Sequence, residues 1–280
     1  MAPTAPPGTF RVVTWNLWWR FGPDPDARHR AITDVLRDVE PDVVCLQEVH
    51  SDADGADRAG DLAEALDLEL TRSEPKQFRG ESFGNAVLSR SPVIDRGEVA
   101  LPLADGSPGF RNATWARLQM PFGQLPVIST HLAFRFDESE LRQRQATALL
   151  ELASELRGDG DDPPPVVLGG DLNALPSSDE IRLLTGHRTV PIPGIVFSDS
   201  WPQVRDDPGH TWDRRNPYLA DSAWPQRRLD YVMVSWPRPQ PIGNPAQAFL
   251  IGDEPVDGVW PSDHFGVVAD LIGQASPPTR

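Results

Sequence analysis

The segment Val166–Ala174, V-V-L-G-G-D-L-N-A, predicts a short buried strand that ends in a polar turn. Its apolar residues lead into two glycines, and Asp171 and Asn173 come directly after them. An Asx turn alone would use the same residues. Because two glycines permit a close approach of the backbone, however, we interpret the segment as a strand end that carries functional side chains.

Three other apolar runs end in the same way, in an amide, an acid or an imidazole: Asn16, Glu48 and His131. Taken singly, each has an ordinary structural explanation, namely a turn, a solvated acid or a hydrogen-bonded core histidine. Strand ends are, however, where a rigid sheet presents side chains to one shared cleft. The repetition therefore predicts that these side chains converge with Asp171 and Asn173 at one rim of the molecule.

Two further acids lie closer to the C-terminus. Asp230 lies within the run R-L-D-Y-V (residues 228–232), and Asp263 precedes His264. A carboxylate among apolar neighbours is costly to bury unless it is paired or bound to a metal, whereas Asp263 and His264 alone are also consistent with a local cap. Together with the strand ends, these oxygen and imidazole groups suit a hard divalent cation and histidines that act on a phosphate.

The remaining pattern predicts more strands than helices. Strands are predicted where short runs are rich in Val, Ile and Leu: Phe10–Leu17, Val43–Gln47, Asn85–Ser89, Ala113–Met120, Leu125–His131, Val166–Gly170, Leu229–Ser235 and Phe265–Leu271. Helices are predicted where apolar residues have helical spacing: Asp26–Val39, Ala59–Leu66 and Asp137–Arg157. Ser177–Glu180 matches a capping box that opens a short fourth helix. Since several neighbouring strands are spaced as hairpins, we predict an α+β fold of two mixed β-sheets packed face to face, with helices outside.

The composition limits the size and kind of the protein. Residues 1–8 and 274–280 are rich in Pro, Ala, Ser and Thr and are expected to be disordered tails. No linker divides residues 9–273, which we interpret as a single domain. The only cysteine, Cys45, excludes an intrachain disulfide and a cysteine-based zinc cluster, and its apolar neighbours indicate a buried structural thiol.

The charge of the chain bears on its partners. The formal net charge of -15 argues against a broad basic surface for sequence-independent binding of duplex DNA. Lys76 is the only lysine, so nearly all positive charge is on arginine. Arginine favours bidentate contacts with phosphate, although a codon bias would explain this composition equally well. A nucleic-acid substrate held by metal and a few arginines is still compatible with these observations.

Seven motifs occur in the same order as in one known family. They are W-N-L (15–17), L-Q-E-V (46–49), F-G-N-A-V-L-S-R (83–90), T-H-L (130–132), G-G-D-L-N-A (169–174), R-L-D-Y-V (228–232) and S-D-H (262–264). With these motifs the chain resembles the endonuclease/exonuclease/phosphatase family. The resemblance extends from Phe10 to about Leu271 and implies a deoxyribonuclease I-like fold, a four-layer αββα sandwich. It also implies a hydrolase of phosphate esters, whether phosphodiesterase, nuclease or phosphatase, that uses Mg²⁺ or Mn²⁺.

The resemblance also implies a role for each matched side chain. Glu48 matches the metal-binding glutamate, with Asn16 and Asp263 beside the metal. Asp171 matches the aspartate that orients or deprotonates the attacking water, and Asn173 the asparagine that holds the phosphate or the nucleophile. A second group of matched residues contacts the substrate or supports those contacts: His131, His264, Asp230 and Asn85. Here the two histidines would contact the phosphate, Asp230 would pair with His264, and Asn85 would position the substrate.

Further substrate contacts are suggested by aromatic residues beside arginines. Trp212 stands close to Arg214, so that its ring could stack on a base while the arginine holds a flanking phosphate; a tryptophan packed under a surface loop would look the same. Arg111 is a further candidate for a phosphate contact. Because long-range attraction to a polyanion is weak at this net charge, we expect a small or single-stranded phosphate ester as substrate, with a nucleic acid among the candidates.

Other classes of protein stay open at this point. A calcineurin-like dinuclear metallophosphatase also carries G-D-x-N, but its early D-x-H and its G-N-H-E/D are missing from the chain. A non-catalytic binding protein on the same scaffold is the second alternative, although every matched catalytic position is filled. With no signal peptide or membrane span recognised in the sequence, we expect a cytoplasmic monomer.

Overall fold

The computed structural model describes residues 1–18, 20–51, 57–74, 76–78, 81–158, 160 and 163–274. The strands are, in chain order, β1 (Thr9–Asn16), β2 (Val43–Ser51), β3 (Glu69–Arg72), β4 (Lys76–Phe78), β5 (Glu81–Ser89), β6 (Val93–Pro102), β7 (Pro108–Met120), β8 (Gly123–His131), β9 (Val167–Asp171), β10 (Val196–Asp199), β11 (Asp230–Trp236), β12 (Pro245–Ile251) and β13 (Gly266–Ile272). The helices are α1 (Pro25–Val39), α2 (Arg58–Leu66), α3 (Ser139–Arg157), α4 (Asp179–Leu184) and α5 (Trp201–Val204), with a 3₁₀ turn at Pro217–Leu219.

The strands form two mixed sheets. The first has the order β12-β13-β1-β2-β5-β3, with β4 also paired to β5, and the second has the order β10-β11-β9-β8-β7-β6. Each sheet has one parallel pair near its centre, β1 with β2 and β8 with β9. Because the carboxyl ends of parallel strands meet at the same edge, these pairs bring Asn16 beside Gln47 and His131 beside Asp171.

Three apolar clusters hold the layers together. The cluster between the two sheets includes Cys45, Val127 and Val167, all fully buried. A second cluster joins the outer face of the second sheet to α3 and α4, and a third joins the outer face of the first sheet to α1 and α2. This arrangement of helix layer, sheet, sheet and helix layer confirms the predicted four-layer αββα fold.

The two glycines of the G-G-D-L-N-A motif serve the packing of the sheets. A Cβ atom on Gly169 would lie 2.7 Å from the Sγ atom of Cys45 in the facing sheet. A Cβ atom on Gly170 would lie 2.5 Å from the carbonyl oxygen of Thr130 in the neighbouring strand. The close approach expected at these glycines is therefore made by two other strands of the same chain, one in the facing sheet and one beside β9. It lets the end of β9 pack tightly against both.

One predicted feature at a helix end differs in the structure. The short helix at the proposed capping box is present as α4, but Ser178 accepts a hydrogen bond from the Leu175 amide and Glu180 is turned to α3, so the reciprocal capping bonds are not made. Within the segment of residues 1–8, the Pro3 carbonyl accepts a hydrogen bond from Arg11 at 2.8 Å. Of the predicted tail at residues 274–280, only Gln274 lies within the described residues. None of the described helices combines the length and apolar character needed to cross a membrane.

Candidate active site

The side chains predicted from the strand ends meet at one cavity of about 430 Å³. Its polar wall is formed by residues of both sheets and of the loops that follow them: Asn16, Glu48, Arg111, His131, Asp171, Asn173, Asp263 and His264. Asp230 lies directly behind His264 and is fully buried. The cavity opens where the central parallel strands end: Asn16, His131 and Asp171 are the last residues of β1, β8 and β9. The antiparallel neighbours contribute residues from their starts, because Arg111 lies near the start of β7, Asp230 begins β11, and Asp263 and His264 come just before β13.

His264 and Asp230 form an acid–histidine pair. The Nδ1 atom of His264 lies 2.9 Å from Oδ2 of Asp230, which leaves Nε2 facing Asp171 at 3.9 Å. Burial acts to lower the pKa of His264, but the combined negative charge of Asp230, Asp171 and Asp263, with the hydrogen bond to Asp230, raises that pKa well above its ordinary value. His264 is therefore a protonated donor at neutral pH, with its ring orientation fixed by Asp230.

Asp171 lies at the centre of the polar wall. Its Oδ2 atom accepts a hydrogen bond from the Asn16 side chain at 3.0 Å, and its Oδ1 atom accepts one from the Asn173 amide at 2.9 Å. Burial and the nearby charge of Asp230 raise the pKa of Asp171 to about 6, against the opposing effects of His264 and of these two hydrogen bonds. At neutral pH the carboxylate is thus ionised but still basic enough to accept a proton.

His131 is held by an arginine on the neighbouring strand. Nη1 of Arg111 lies 2.8 Å from Nδ1 of His131. Because a guanidinium can only donate, Nδ1 accepts and the proton of the neutral ring is on Nε2, which lies 3.3 Å from Oδ2 of Asp171. Burial, followed by the charges of Arg111 and His264, lowers the pKa of His131 well below its ordinary value. His131 is consequently a neutral hydrogen-bond donor directed into the cavity.

Two further acids, Glu48 and Asp263, line the same cavity as His131 and His264. The Oε2 atom of Glu48 is buried and has no hydrogen-bond partner among the described residues. Burial raises the pKa of Glu48, and burial together with the charge of Glu48 raises the pKa of Asp263 to about 7. With Asn16, these side chains form an all-oxygen donor set of the kind that Mg²⁺ prefers, so the residues present fit a hard divalent cation.

A second set of donors is also compact enough to hold a cation. One ligand atom each from Asp171, Asp230 and His264 can be chosen so that all lie within 4.8 Å of one another. In the structure, however, the contact between Asp230 and His264 already occupies the Nδ1 atom of the histidine. The set would also place an imidazole beside a metal that favours oxygen ligands, so the Glu48 set is the better match to Mg²⁺.

Local backbone irregularity turns Glu48 toward the cavity. The register of β2 against β5 shifts between Leu46 and Val49, so that Gln47 and Glu48 lie opposite the single residue Asn85 in a β-bulge, and the pairing resumes at Val49. A bulge places consecutive side chains out of the regular alternation and is a common way to direct a functional residue. The carboxylate of Glu48 thereby reaches the same cavity as residues of the second sheet.

The predicted substrate-binding residues separate into two groups. Arg111 and Trp212 line the cavity, and the Trp212 ring stands edge-on to His264 with 5.0 Å between ring centroids. Asn85 is buried beside the cavity, where its amide donates to the side chain of Asn112 at 2.7 Å. Arg214 is not among the cavity-lining residues, because its guanidinium donates to the carbonyl oxygens of a neighbouring loop.

Sequence reasoning missed the apolar wall of the same cavity. Besides Trp212, it is formed by Phe83 of the F-G-N-A-V-L-S-R motif and by aromatic side chains and one arginine that no motif contains: Trp18, Phe21, Phe110, Phe134, Phe136, Trp224 and Arg227. The F-R-F run at residues 134–136, directly after the T-H-L motif, is the one sequence signal of this wall. Two large apolar side chains in a polar loop after a functional strand end are a reasonable indication of a binding surface.

The fold and this polar wall define a member of the deoxyribonuclease I-like class of proteins. The model of the endonuclease/exonuclease/phosphatase family matches residues 13–264, and the chain belongs to that family. This membership replaces the alternative of a calcineurin-like metallophosphatase. The family resemblance that the seven motifs indicated is thereby confirmed.

The sequence identity to individual relatives is low. The chain is 27% identical to tyrosyl-DNA phosphodiesterase 2 of Xenopus laevis, in an alignment that covers 94% of this chain and 66% of that protein. It is 28% identical to protein angel of Drosophila melanogaster, in an alignment that covers 57% of this chain and 46% of that protein. It thus spans less than two thirds of either relative. Among solved structures, TDP2 of D. rerio in complex with a single-stranded DNA product has a TM-score of 0.75 at 20% identity, covering 94% of this chain and 98% of that one, which shows the shared fold. The structure of an endonuclease/exonuclease/phosphatase protein of Beutenbergia cavernae has a TM-score of 0.70 at 28% identity, covering 97% of this chain and 73% of that one.

Proposed function

We propose that this protein hydrolyses phosphate esters, with water as the nucleophile and Mg²⁺ as its metal ion. The observation that carries the proposal is the meeting of a basic carboxylate, Asp171, with a charged and a neutral imidazole donor, His264 and His131, in one cavity. In phosphoryl transfer, charge develops on the oxygens around the phosphorus, and catalysis depends on donors and cations that are fixed in advance around them.

Each side chain of the polar wall has a defined task in this proposal. Asp171 orients the water and accepts its proton, which its raised pKa allows. His131 and His264 donate from Nε2 to oxygens of the phosphate, and Asp230 keeps His264 charged and correctly turned. The side-chain amide of Asn173, which also faces the cavity, helps to hold the phosphate.

The metal would be held by Glu48, Asp263 and Asn16. When bound there, a divalent cation supplies positive charge that stabilises the charge developing on the phosphate oxygens. Its charge would also compensate these two carboxylates: burial raises the pKa of both, the charge of Asp171 adds to this at Glu48, and the charge of Glu48 adds to it at Asp263. Mn²⁺ has the same preference for oxygen ligands and is expected to replace Mg²⁺.

The first test is hydrolysis of bis(p-nitrophenyl) phosphate by the wild-type protein and three variants. We expect activity with Mg²⁺ or Mn²⁺ and none in excess chelator. E48Q should need more Mg²⁺ for half-maximal activity, whereas D171N and H264A should lower turnover by about 10²–10⁴-fold at saturating Mg²⁺ with an unchanged fold. D34N, which changes an exposed aspartate on α1, is the matched control.

Two results would contradict this assignment. Full activity in chelator would exclude the metal. Wild-type turnover by D171N or H264A at saturating Mg²⁺ would exclude the role of that residue. If neither the wild type nor any variant shows activity, the alternative of a non-catalytic binding protein on the same scaffold is favoured.

We further propose that the substrate is a small or single-stranded phosphate ester, with a nucleic acid as the first candidate. Residues 9–273 would act on it as one catalytic domain in a cytoplasmic monomer. The names of the relatives support a nucleic acid, since one is a tyrosyl-DNA phosphodiesterase and another was solved with single-stranded DNA product. A panel of single-stranded DNA, RNA, abasic duplex, 5′-tyrosyl DNA and inositol phosphates distinguishes these substrate classes by their relative kcat/KM.

A further inference from the structure

Two aromatic rings at the mouth of the cavity are stacked on each other and yet half open to solvent. The centroids of Phe136 and Trp224 lie 3.9 Å apart with 31° between the ring planes, and the residues are 50% and 47% exposed. They come from different loops, one after β8 and one before β11. Both rings line the same cavity as His131 and Asp171. Large apolar rings that stay exposed beside a polar centre mark a surface that another molecule covers.

A buried cation holds this ring pair in place. The guanidinium carbon of Arg227 lies 4.4 Å from the ring centroid of Phe136 and 5.2 Å from that of Trp224, and Arg227 itself is only 8% exposed. A cation over aromatic faces is attracted by their electron density, more strongly when it is desolvated. Arg227 thus fixes the two rings in the wall of the cavity.

The ring pair is also fixed relative to the polar wall. The backbone of Arg227 exchanges two hydrogen bonds of 2.9 Å with that of Trp212, whose ring lies against His264. The loop that carries Phe136 is fixed at the Arg135 carbonyl, which accepts a hydrogen bond of 2.6 Å from Arg142 on α3. The loop of Trp224 is fixed by Arg214, whose guanidinium donates to the Trp224 carbonyl at 3.2 Å.

We propose that Phe136 and Trp224 form a stacking platform for a nucleobase of the substrate, next to the phosphate that is hydrolysed. The proposal rests on the proposed function and makes it more specific. A flat π surface gains stacking energy from any base, independent of sequence, because every base has a π face. An inositol phosphate has no such face and would instead need several hydrogen-bond partners, whereas these two rings offer only the single Nε1–H donor of Trp224.

Binding of two matched oligonucleotides tests the platform without catalysis. The probes are a fluorescein-labelled single-stranded tetranucleotide and the same molecule with tetrahydrofuran sites in place of the bases, which keeps every phosphate. Fluorescence anisotropy is measured in excess chelator. We expect the wild type to bind the base-containing probe about 10-fold more tightly, and the double variant F136A/W224A to bind the two probes within about 2-fold of each other.

Matched controls separate the platform from general effects. W236A removes an equally exposed tryptophan that does not line the cavity, and it should keep the 10-fold preference. The single variants F136L and W224A should each lose part of the preference, and circular dichroism shows whether they remain folded. The platform is overturned if wild type shows no preference for bases, or if folded F136A/W224A keeps it.

A further variant distinguishes this proposal from the proposed function. D171N lacks the residue that accepts the proton but keeps both rings, so it should retain the 10-fold preference in chelator. If wild type fails to hydrolyse any phosphate ester but prefers the base-containing probe, the proposed hydrolytic function is wrong, whereas the proposed stacking platform is supported. If hydrolysis needs Mg²⁺ and Asp171 but the preference is unchanged in F136A/W224A, the platform alone is wrong.

Discussion

Glu48 and Asn173 have left-handed backbone conformations, with φ angles of 53° and 49°. Such a conformation costs a non-glycine residue about 1 kcal/mol and persists where the surroundings impose it. In both cases the residue directly faces the cavity. The strained backbone thus coincides with side chains that the proposed chemistry needs, and glycine, the residue best suited to these angles, would remove them.

Crowding of the carboxylates predicts a stabilising substitution. Because the pKa of Asp263 is about 7 in the folded protein and ordinary in the unfolded chain, the folded protein binds the proton more tightly. The ionised carboxylate therefore destabilises the fold above pH 7, and this cost disappears as the pH falls from 7 to about 4. In chelator at pH 8, we expect D263N to raise the free energy of unfolding by about 2 kcal/mol, measured by urea denaturation.

The pH dependence and the metal check the same prediction. The difference between D263N and wild type should shrink at pH 5, whereas the surface variant D34N should differ little from wild type at either pH. Saturating Mg²⁺ should stabilise wild type more than D263N. If D263N were no more stable than wild type at pH 8, the ionised Asp263 carboxylate would not destabilise the fold, and the prediction would be wrong.

At the scale of single residues, the sequence predicted the polar wall but not the apolar one. Polar side chains at strand ends are recognisable because they interrupt an apolar run, as Asp171 does. Phe136, Trp224 and Arg227 lie in loops, where no periodicity constrains them, and the adjacent Arg214 appeared equally suited to a phosphate contact. Which of two arginines faces the cavity depends on the path of the loop, and that path is set by tertiary contacts.

At the scale of elements, the strands that sequence reasoning missed lie at or next to the edges of the sheets: β3, β4, β6, β10 and β12. Central strands are buried on both faces and have continuous apolar runs, whereas an edge strand can be charged and short. The strand β6 is the clearest case, since its sequence V-I-D-R-G-E-V-A-L-P is largely exposed. Predicting such a strand requires knowledge of its neighbour.

An ion pair between two helices supports both the fold and the cavity. Glu180 of α4 is fully buried and accepts hydrogen bonds from Arg142 and Ser139 of α3, and Arg142 in turn donates to the loop that carries Phe136. Removing one partner of a buried pair leaves the other charge uncompensated. We expect E180Q to lower the free energy of unfolding by about 3 kcal/mol in urea denaturation.

A second glutamate provides the control for that measurement. Glu140 also lies in the first turn of its helix and pairs with Arg144 at 2.9 Å, but this pair is exposed. E140Q should therefore cost less than about 0.5 kcal/mol. If E180Q were no more destabilising than E140Q, Arg142 would have to be held by the loop carbonyls alone.

At the scale of the whole molecule, the net charge predicts a weak dependence on salt. Among the described residues, the arginines that line the cavity are Arg111 and Arg227. Each phosphate neutralised on a duplex contributes about 0.9 to the slope of log K against log salt concentration. We expect a slope between about 1 and 3 for duplex DNA, measured by anisotropy from 50 to 300 mM salt. A slope near six would show an extended phosphate footprint.

The hydrogen bond between Asn16 and Asp171 joins the two sheets through residues that are 155 positions apart in the chain. Neither half of the chain can therefore assemble the polar wall by itself, and contacts between residues so distant in sequence form slowly. During refolding from urea, recovery of activity should lag behind recovery of the far-ultraviolet circular dichroism signal. Simultaneous recovery of the two signals would mean that the sheets dock as fast as their strands form. We therefore expect the meeting of the two sheets, rather than the formation of local hairpins such as that of β7 and β8, to limit the rate at which this protein becomes active.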